Sequence, residues 1–497
     1  MSGGEYGQVS TLAVYPIPEG LEESPDYTVR VREPGAEWQQ LFVYRAAVDM
    51  HDVRYASMVT FSCGGPVELE IEHRLGAVTD TVVRPLSAGL RCDDQEDEVA
   101  LRLKLDGPRL LSLEVNGERF RNLHIFANPA EENAPEPDGD GVLTLRPGLH
   151  RGADIRQRLD NGSRTDADTG KARTAEQRRI VRFEPGVHLL EDDRLYLPSH
   201  TSVYLAGGAV LCGGLVCDKV RGVEIRGRGV LDLSSFAKNT YYRGVDVRYS
   251  SDIVIEGIAM IDPPHYSVLL GQSERIRISN LKTFSSRGWC DGIDMMACRD
   301  VTIEGGFLRT SDDCIAVYAS RGEFCGDARD ISVRGTILWA DVAHPINIGT
   351  HGDHAGAGTV IERLHFGKLD ILEHHEPQPD YWGCMAINAG DHNIVRDVVF
   401  EDIRVETFEL GEPFNIRVLK NEKYNPAPGR RIERVLFRNI RFDAACPNPS
   451  HISGYDEDRM VEDVAFENVT LGDEVLTSEA RHLLIGEYTR EIAVQWR

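Results

Sequence analysis

Ile255-Glu256-Gly257-Ile258, Ile278-Ser279-Asn280-Leu281 and Ile303-Glu304-Gly305 are copies of one phrase. A β-branched or aromatic residue leads, any residue follows, then Gly, Asn or Asp, then usually an aliphatic. Val333-Arg334-Gly335, Phe400-Glu401-Asp402-Ile403, Phe437-Arg438-Asn439-Ile440 and Phe466-Glu467-Asn468-Val469 continue it. The first copies recur every roughly 23–30 residues, the period of a repeat architecture. Short strands with Gly or Asn at the corner suit a right-handed parallel β-helix, each coil lying on the one before at about 4.8 Å. Aliphatics then fill the bore, and Asn280, Asn439 and Asn468 stack or bond at the corners. A leucine-rich horseshoe lacks support, because its leucine signature and helical segments are missing. The long gap between the copies at 333 and 400 fits two coils that carry insertions on one face.

Outward from this core, the repeat pattern begins near Ile180 and runs to the C-terminus, giving a catalytic domain at 180–497. Pro129 to Asp140 is rich in Pro, Glu, Asp and Gly, and Gly148 to Arg178 is polar and poorly patterned. The span 129–179 therefore reads as a linker with a loop insertion, holding at most one short strand at Val142-Leu143-Thr144-Leu145. Residues 1–128 alternate with period two in short runs such as Val67-Glu68-Leu69-Glu70-Ile71, and Asn116-Gly117 is a hairpin signal. They predict an antiparallel β-sandwich with no catalytic constellation of its own.

A chain of 497 residues with 41% hydrophobic content can bury a large core. Mean hydropathy of -0.31 and the lack of any apolar run of membrane length point to a soluble protein. A net charge of -25 disfavours nucleic acid and anionic membrane as partners, since Lys and Arg supply affinity there. No basic start followed by an apolar run opens the sequence, so a cytoplasmic location with ten reduced, buried cysteines is expected. Cys212 and Cys217 have no matching second pair, so no zinc site is expected. The oligomeric state has no sequence signal.

The chemistry is concentrated in Gly288-Trp289-Cys290-Asp291-Gly292-Ile293-Asp294, Thr310-Ser311-Asp312-Asp313-Cys314-Ile315 and Ala343-His344-Pro345-Ile346-Asn347-Ile348-Gly349. These segments follow one another at about one coil, so stacking brings Asp291, Asp312, Asp313 and His344 onto one face. Successive residues on a regular strand point to opposite faces, so Asp312 and Asp313 share a cleft only at a strand end or bend. Carboxylates at close range cannot all ionise freely, and one raised pKa beside ionised partners is what glycosidic cleavage needs. An isolated Asp-Asp pair is usually a solvated turn. Here, the acidic segment one coil before and His344 one coil after weaken that reading. A calcium cage of Asp291, Asp294, Asp312 and Asp313 is a rival.

Candidate sugar contacts are Asp294, Trp289, Tyr318, His351, Arg417 and Lys420. Trp289 and Tyr318 flank the acids and can offer apolar faces, as can His265, Tyr266, Tyr381 and Trp382. Arg417 and Lys420 can bond hydroxyls or a carboxylate. His351-Gly352-Asp353-His354 and His374-His375-Glu376 read as polar loops.

From about Ile180 onward, the sequence resembles the polygalacturonase and dextranase clan, glycoside hydrolase families 28 and 49. Cys290-Asp291-Gly292-Ile293-Asp294 is similar to the clan's Asn-Thr-Asp-Gly segment. Asp312-Asp313-Cys314-Ile315 is similar to its Asp-Asp-Cys-Ile or Asp-Asp-Ala-Ile. Ala343 to Gly349 is similar to Gly-His-Gly-Ile-Ser-Ile-Gly, and Arg417 to Lys420 to Arg-Ile-Lys with one residue extra. The N-terminal sandwich, Trp289 and Ala343-His344-Pro345-Ile346 lean toward the dextranase side. The resemblance implies an inverting hydrolase of α-linked poly- or oligosaccharides, dextran-like or galacturonan-like, with no metal and no cofactor. It makes Asp312 the general acid, Asp291 and Asp313 the residues that hold and activate water, His344 a supporting group, and Arg417 and Lys420 substrate ligands. Pro345, Trp289-Cys290 and the stretched Arg-to-Lys spacing depart from the pattern and bear on galacturonate specificity. A calcium-dependent polysaccharide lyase and a non-catalytic carbohydrate-binding β-helix remain the alternatives.

Overall fold

A computed structural model describes residues 11–93, 100–137, 139–161, 179–477 and 481–496. Two β-sheets form the N-terminal unit. Four antiparallel strands run in the order Gln39–Leu41, Tyr27–Arg32, Val67–His73 and Ala100–Leu105. Five run in the order Tyr44–Val48, Arg54–Cys63, Glu118–Pro129, Arg109–Val115 and Thr81–Arg84. One pair, Arg54–Cys63 with Glu118–Pro129, is parallel rather than antiparallel. The Asn116-Gly117 hairpin forms as expected: both residues have positive φ, 56° and 73°, as a two-residue turn between right-twisted strands requires.

The five-stranded sheet is buried on both faces. Phe61, Leu113 and Ile125 pack against the smaller sheet, while Tyr44, Ala46, Met58 and Phe126 pack onto Ile261, Phe284, Phe307 and Trp339 of the repeat domain. At this seam Arg309 makes two hydrogen bonds to Asp341, at 2.9 and 3.0 Å, and reaches Asn122 Oδ1 at 3.0 Å.

The repeat domain is one 32-stranded, almost wholly parallel sheet wound in chain order, the predicted β-helix. Its registers stack the leading residue of the repeated phrase: Ile255 on Ile278, Ile303, Val333, Phe366, Phe400, Phe437 and Phe466. The four phenylalanines form a rod, with ring centroids 5.0, 4.7 and 5.0 Å apart and interplanar angles of 13°, 3° and 6°. Phe437→Ala is expected to cost about 3–5 kcal/mol, because a ring held on two sides leaves a cavity the coils cannot close; a denaturant titration measures it.

The third residue of the phrase is a left-handed corner. Gly257, Asn280, Gly305, Asp402, Asn439 and Asn468 all have φ between 50° and 82°. Only Gly, Asn and Asp take that conformation at low cost, which is why the phrase uses them. Asn468 Nδ2 donates to Asn439 Oδ1 at 3.1 Å and Asn439 Nδ2 to Asp402 Oδ1 at 2.9 Å, the expected ladder. Asn280 turns away from it and donates to Asn128 of the sandwich at 3.1 Å.

The β-helix starts earlier than residue 180. Val142–Leu145 pairs in parallel with Arg179–Phe183, and Gly148–His150 with Gly186–Tyr196, so the first coil lies inside the stretch read as linker, 129–179. The helix Gly152–Asn161 occupies part of the expected loop and sets Ile155 and Leu159 into the core. Two apolar residues in ten are too few to stand out in a polar sequence, yet at i and i+4 they share one face. The rest of that loop, 162–178, lies outside the described residues. Among the described residues, no helix is long and apolar enough to cross a membrane.

Candidate active site

The strands Ile293–Met296, Ile315–Tyr318, Ile346–Ile348 and Gly383–Ala389 stack in register, Ile293 on Ile315 on Ile346 on Met385. Asp291, Asp313 and His344 each stand two residues before that register point. Linear spacing has become a column. The backbone is bent, not extended, from Ser311 to Cys314, which lets Asp312 and Asp313 face the same cleft. Thr310 Oγ1 donates to the Asp312 carbonyl at 2.6 Å and Ser311 Oγ to the Arg287 carbonyl at 2.7 Å, pinning the bend. Gly292 is required: a Cβ there would lie 2.4 Å from the Cys314 carbonyl oxygen.

Asp291, Asp312, Asp313, His344, Trp289, Tyr318 and His351 line one cleft of about 250 Å³. One carboxylate oxygen from each of Asp291, Asp312 and Asp313 lies within 4.8 Å of the others. Asp313 is wrapped by donors. Its Oδ1 accepts from His344 N at 3.1 Å and Nδ1 at 2.6 Å, and its Oδ2 from Asn347 Nδ2 at 2.8 Å. His344 Nε2 faces the Tyr381 carbonyl at 2.5 Å. Both ring nitrogens therefore meet acceptors, so His344 is an imidazolium and not a base. Burial opposes that charge, but the Asp313 carboxylate outweighs it and lifts His344 to about 9. In return, although burial pushes the Asp313 carboxyl up, His344 and Asn347 hold it below the ordinary range.

Burial and the neighbouring Asp313 push Asp312 up to about 6, against hydrogen bonds from the Trp289 N–H at 2.9 Å and the Asp313 N–H at 3.1 Å. Burial and the charges of Asp294, Asp312 and Asp313 push Asp291 well above the ordinary range, and a hydrogen bond joins it to Asp294. The set thus holds one carboxyl lowered by its donors and two raised by burial and like charge.

Asp294 is fully buried behind Asp291, 3.4 Å from Arg321, and does not line the cleft. Arg417 and Lys420 do not line it either. Arg417 is in register with Asn388, two coils beyond the strand that follows His344, and faces Asp380 at 3.3 Å; Lys420 pairs with Glu422 at 2.7 Å. Trp289 stands 60% exposed at the rim with φ of 60°. His351 Nδ1 donates to the Tyr424 carbonyl at 3.0 Å, and burial beside Arg321 lowers the ring to about 3, leaving neutral Nε2 as an acceptor.

Of the possible apolar faces, His265, Tyr266 and Tyr381 line the cleft and Trp382 does not. Arg321, Asn347, Thr350, Glu376, Gln378 and Tyr424 also line it and had no role from sequence. Arg321 is in a loop after Tyr318 with no repeat spacing to flag it. Glu376 lay in His374-His375-Glu376, which read as a polar loop.

Residues 228–362, which contain the three acidic and histidine segments, match the model for glycosyl hydrolases family 28. A polygalacturonase of Chamaecyparis obtusa is 27% identical over 132 residues, 26% of this chain and 24% of that protein. A probable exopolygalacturonase B of Aspergillus terreus is 21% identical over 193 residues, 37% of this chain and 41% of that protein. The chain thus matches less than half the length of these curated relatives. Among solved structures, Dex49A from Penicillium minioluteum superimposes with a TM-score of 0.63 at 15% identity, covering 98% of this chain and 97% of that one. The family 28 exopolygalacturonase of Yersinia enterocolitica gives a TM-score of 0.51 at 12% identity, covering 91% and 98%. The first spans the sandwich as well as the β-helix. The resemblance to the polygalacturonase and dextranase clan is borne out.

Proposed function

We propose that the protein is an inverting glycoside hydrolase that cleaves α-glycosidic bonds in a dextran-like or galacturonan-like poly- or oligosaccharide. The observation that carries hydrolysis is the triangle of Asp291, Asp312 and Asp313, whose oxygens lie within 4.8 Å and whose environments push their pKa values apart. Inversion rests on the resemblance to families 28 and 49 and not on this spacing, since carboxylate pairs about 6.5–9.5 Å apart invert and pairs about 5–5.5 Å apart retain. In the proposed reaction Asp312 gives its proton to the leaving glycosidic oxygen. Water attacks the anomeric carbon as that bond breaks, and its proton passes to ionised Asp313, with Asp291 orienting the water. His344 keeps Asp313 ionised. Proton NMR of the first-formed product checks the stereochemistry: an inverted anomer supports the reading, and a retained one leaves hydrolysis but removes inversion.

The acid step carries a pH signature. Asp312 acts only when protonated and its carboxyl sits at about 6, above the ordinary aspartate value, so kcat/KM should fall as pH rises through about 6. The loss at low pH comes only below the ordinary carboxylate range, because Asp313 is depressed. A pH–rate profile from 3 to 9 measures both limbs.

The same triangle is also a spacing at which three carboxylates can share one divalent cation, which supports the calcium-dependent lyase as a second reading. Incubation with dextran, isomaltooligosaccharides, pullulan, inulin and oligogalacturonate, with and without chelator, separates the two. New reducing ends without ultraviolet absorbance, unaffected by chelator, establish hydrolysis. Absorbance that chelator abolishes establishes the lyase, and silence on every substrate removes both.

A further inference from the structure

We propose that Lys238 is a positioning residue for the reaction: through the Gly288–Trp289 peptide it fixes and polarises the N–H that holds Asp312, the group that protonates the leaving oxygen. This rests on the hydrolase reading above and adds a residue to its acid step.

Lys238 opens a short turn, Lys238–Thr240, in the loop after the strand Val230–Asp232. It stands behind the cleft and does not line it. Its ammonium donates to the Pro264 carbonyl at 2.7 Å and to the Gly288 carbonyl, and it meets the Cys290 sulfur at 3.6 Å. These acceptors come from successive coils, and none of them is a carboxylate. Burial pushes the Cys290 thiol up to about 12, so it stays neutral, and its Sγ donates to the Pro263 carbonyl at 3.0 Å. The Asp262 carboxylate of the same neighbourhood is taken by Ser286 and Arg287. Arg287 also donates to the Phe236 and Ser234 carbonyls, both at 2.6 Å, which ties the loop of Lys238 to the segment it serves.

The Gly288 carbonyl and the Trp289 N–H belong to one peptide group. Lys238 grips the carbonyl end, and the N–H end donates to Asp312 Oδ2 at 2.9 Å. A cation at the oxygen and a carboxylate at the hydrogen both lie along the peptide dipole, so each bond strengthens the other. The peptide turns this way because Trp289 has φ of 60°, a conformation costly for a bulky side chain and kept only where its surroundings impose it. Lys238 helps to impose it, since Nζ also lies 5.3 Å from the centroid of the Trp289 ring.

Negative charge appears on Asp312 as its proton passes to the glycosidic oxygen. Of the cations that line the cleft, His344 is bonded to Asp313 and Arg321 to Asp294. The new charge is therefore met by the N–H groups of Trp289 and Asp313. Lys238 makes the first of these a stronger donor and holds it in place before the reaction, which favours the transition state over the ground state.

Lys238→Met keeps the length of the side chain and removes its charge and its donors. The natural probe is the member of the substrate panel above that wild type cleaves, and the activated probe is the 4-nitrophenyl glycoside of the same sugar. On the natural probe kcat should fall about tenfold with KM within threefold. On the activated probe, whose leaving group departs without protonation, the deficit should shrink below threefold. In an Asp312→Asn background the same change should lower kcat on the natural probe less than twofold, because no acid is left to position. Lys238→Gln, which keeps amide donors without the charge, is read by the same comparisons where the Met variant does not fold. Equal deficits on the two probes, an effect confined to KM, unchanged kinetics, a tenfold loss that persists beside Asp312→Asn, or failure of both variants to fold overturns the proposal and leaves the hydrolase reading standing. The hydrolase reading fails by a different result: no product from wild type on any substrate, or an Asp312→Asn enzyme as active as wild type.

Discussion

Asp312→Asn should lower turnover about a thousandfold on natural substrates, within the usual range for removing a general acid. The replacement is close in shape and removes the transferable proton. Both carboxylate oxygens accept backbone N–H groups, from Trp289 and Asp313, and an amide can satisfy only one of them. One lost hydrogen bond is worth about 1 kcal/mol, so the melting point should move little. The loss should depend on the leaving group. With an activated aryl glycoside, whose oxygen departs without protonation, the deficit should shrink to about tenfold. It should also remove the limb near pH 6. Unchanged turnover on a natural substrate sinks the assignment of Asp312, and an equal deficit on both substrates makes it structural.

Arg309→Met should cost about 3–5 kcal/mol, the penalty for stranding a buried charge. Arg309 and Asp341 are 0% and 1% exposed, and the guanidinium also bonds Asn122 and His124 of the sandwich. Removing it leaves an uncompensated carboxylate and two polar groups without their partner at the seam between the domains. The exposed pair of Arg275 and Asp252, 47% and 49% accessible, serves as the control; Arg275→Met should cost under about 1 kcal/mol because water screens it. Asp341→Leu added to Arg309→Met should recover part of the loss. Denaturant titrations of the four proteins measure this, and similar costs for the two single variants would falsify the buried-charge account.

The fold was readable because its signal is periodic. Most coils present an aliphatic or aromatic residue to the bore and a Gly, Asn or Asp to a left-handed corner, so Ile255, Ile278 and Ile303 announce the stacking by themselves. The same period set Asp291, Asp313 and His344 in one column. The first coil at Val142–Leu145 escaped because one short strand and a helix with two buried residues carry no repeat.

The amino-acid sequence by itself therefore determined the winding and the acidic column, since both are consequences of register along the chain. Only the tertiary structure decided what else faces the column. Glu376 and Arg321 arrive from loops, Asp294 turns inward behind Asp291, and Arg417 is turned to Asp380 instead of the cleft. Loop paths and coil insertions depend on packing in three dimensions, not on the repeat. The protonation of the site depends on the same packing, because the charge on Asp313 and His344 is fixed by groups that meet only in the folded chain.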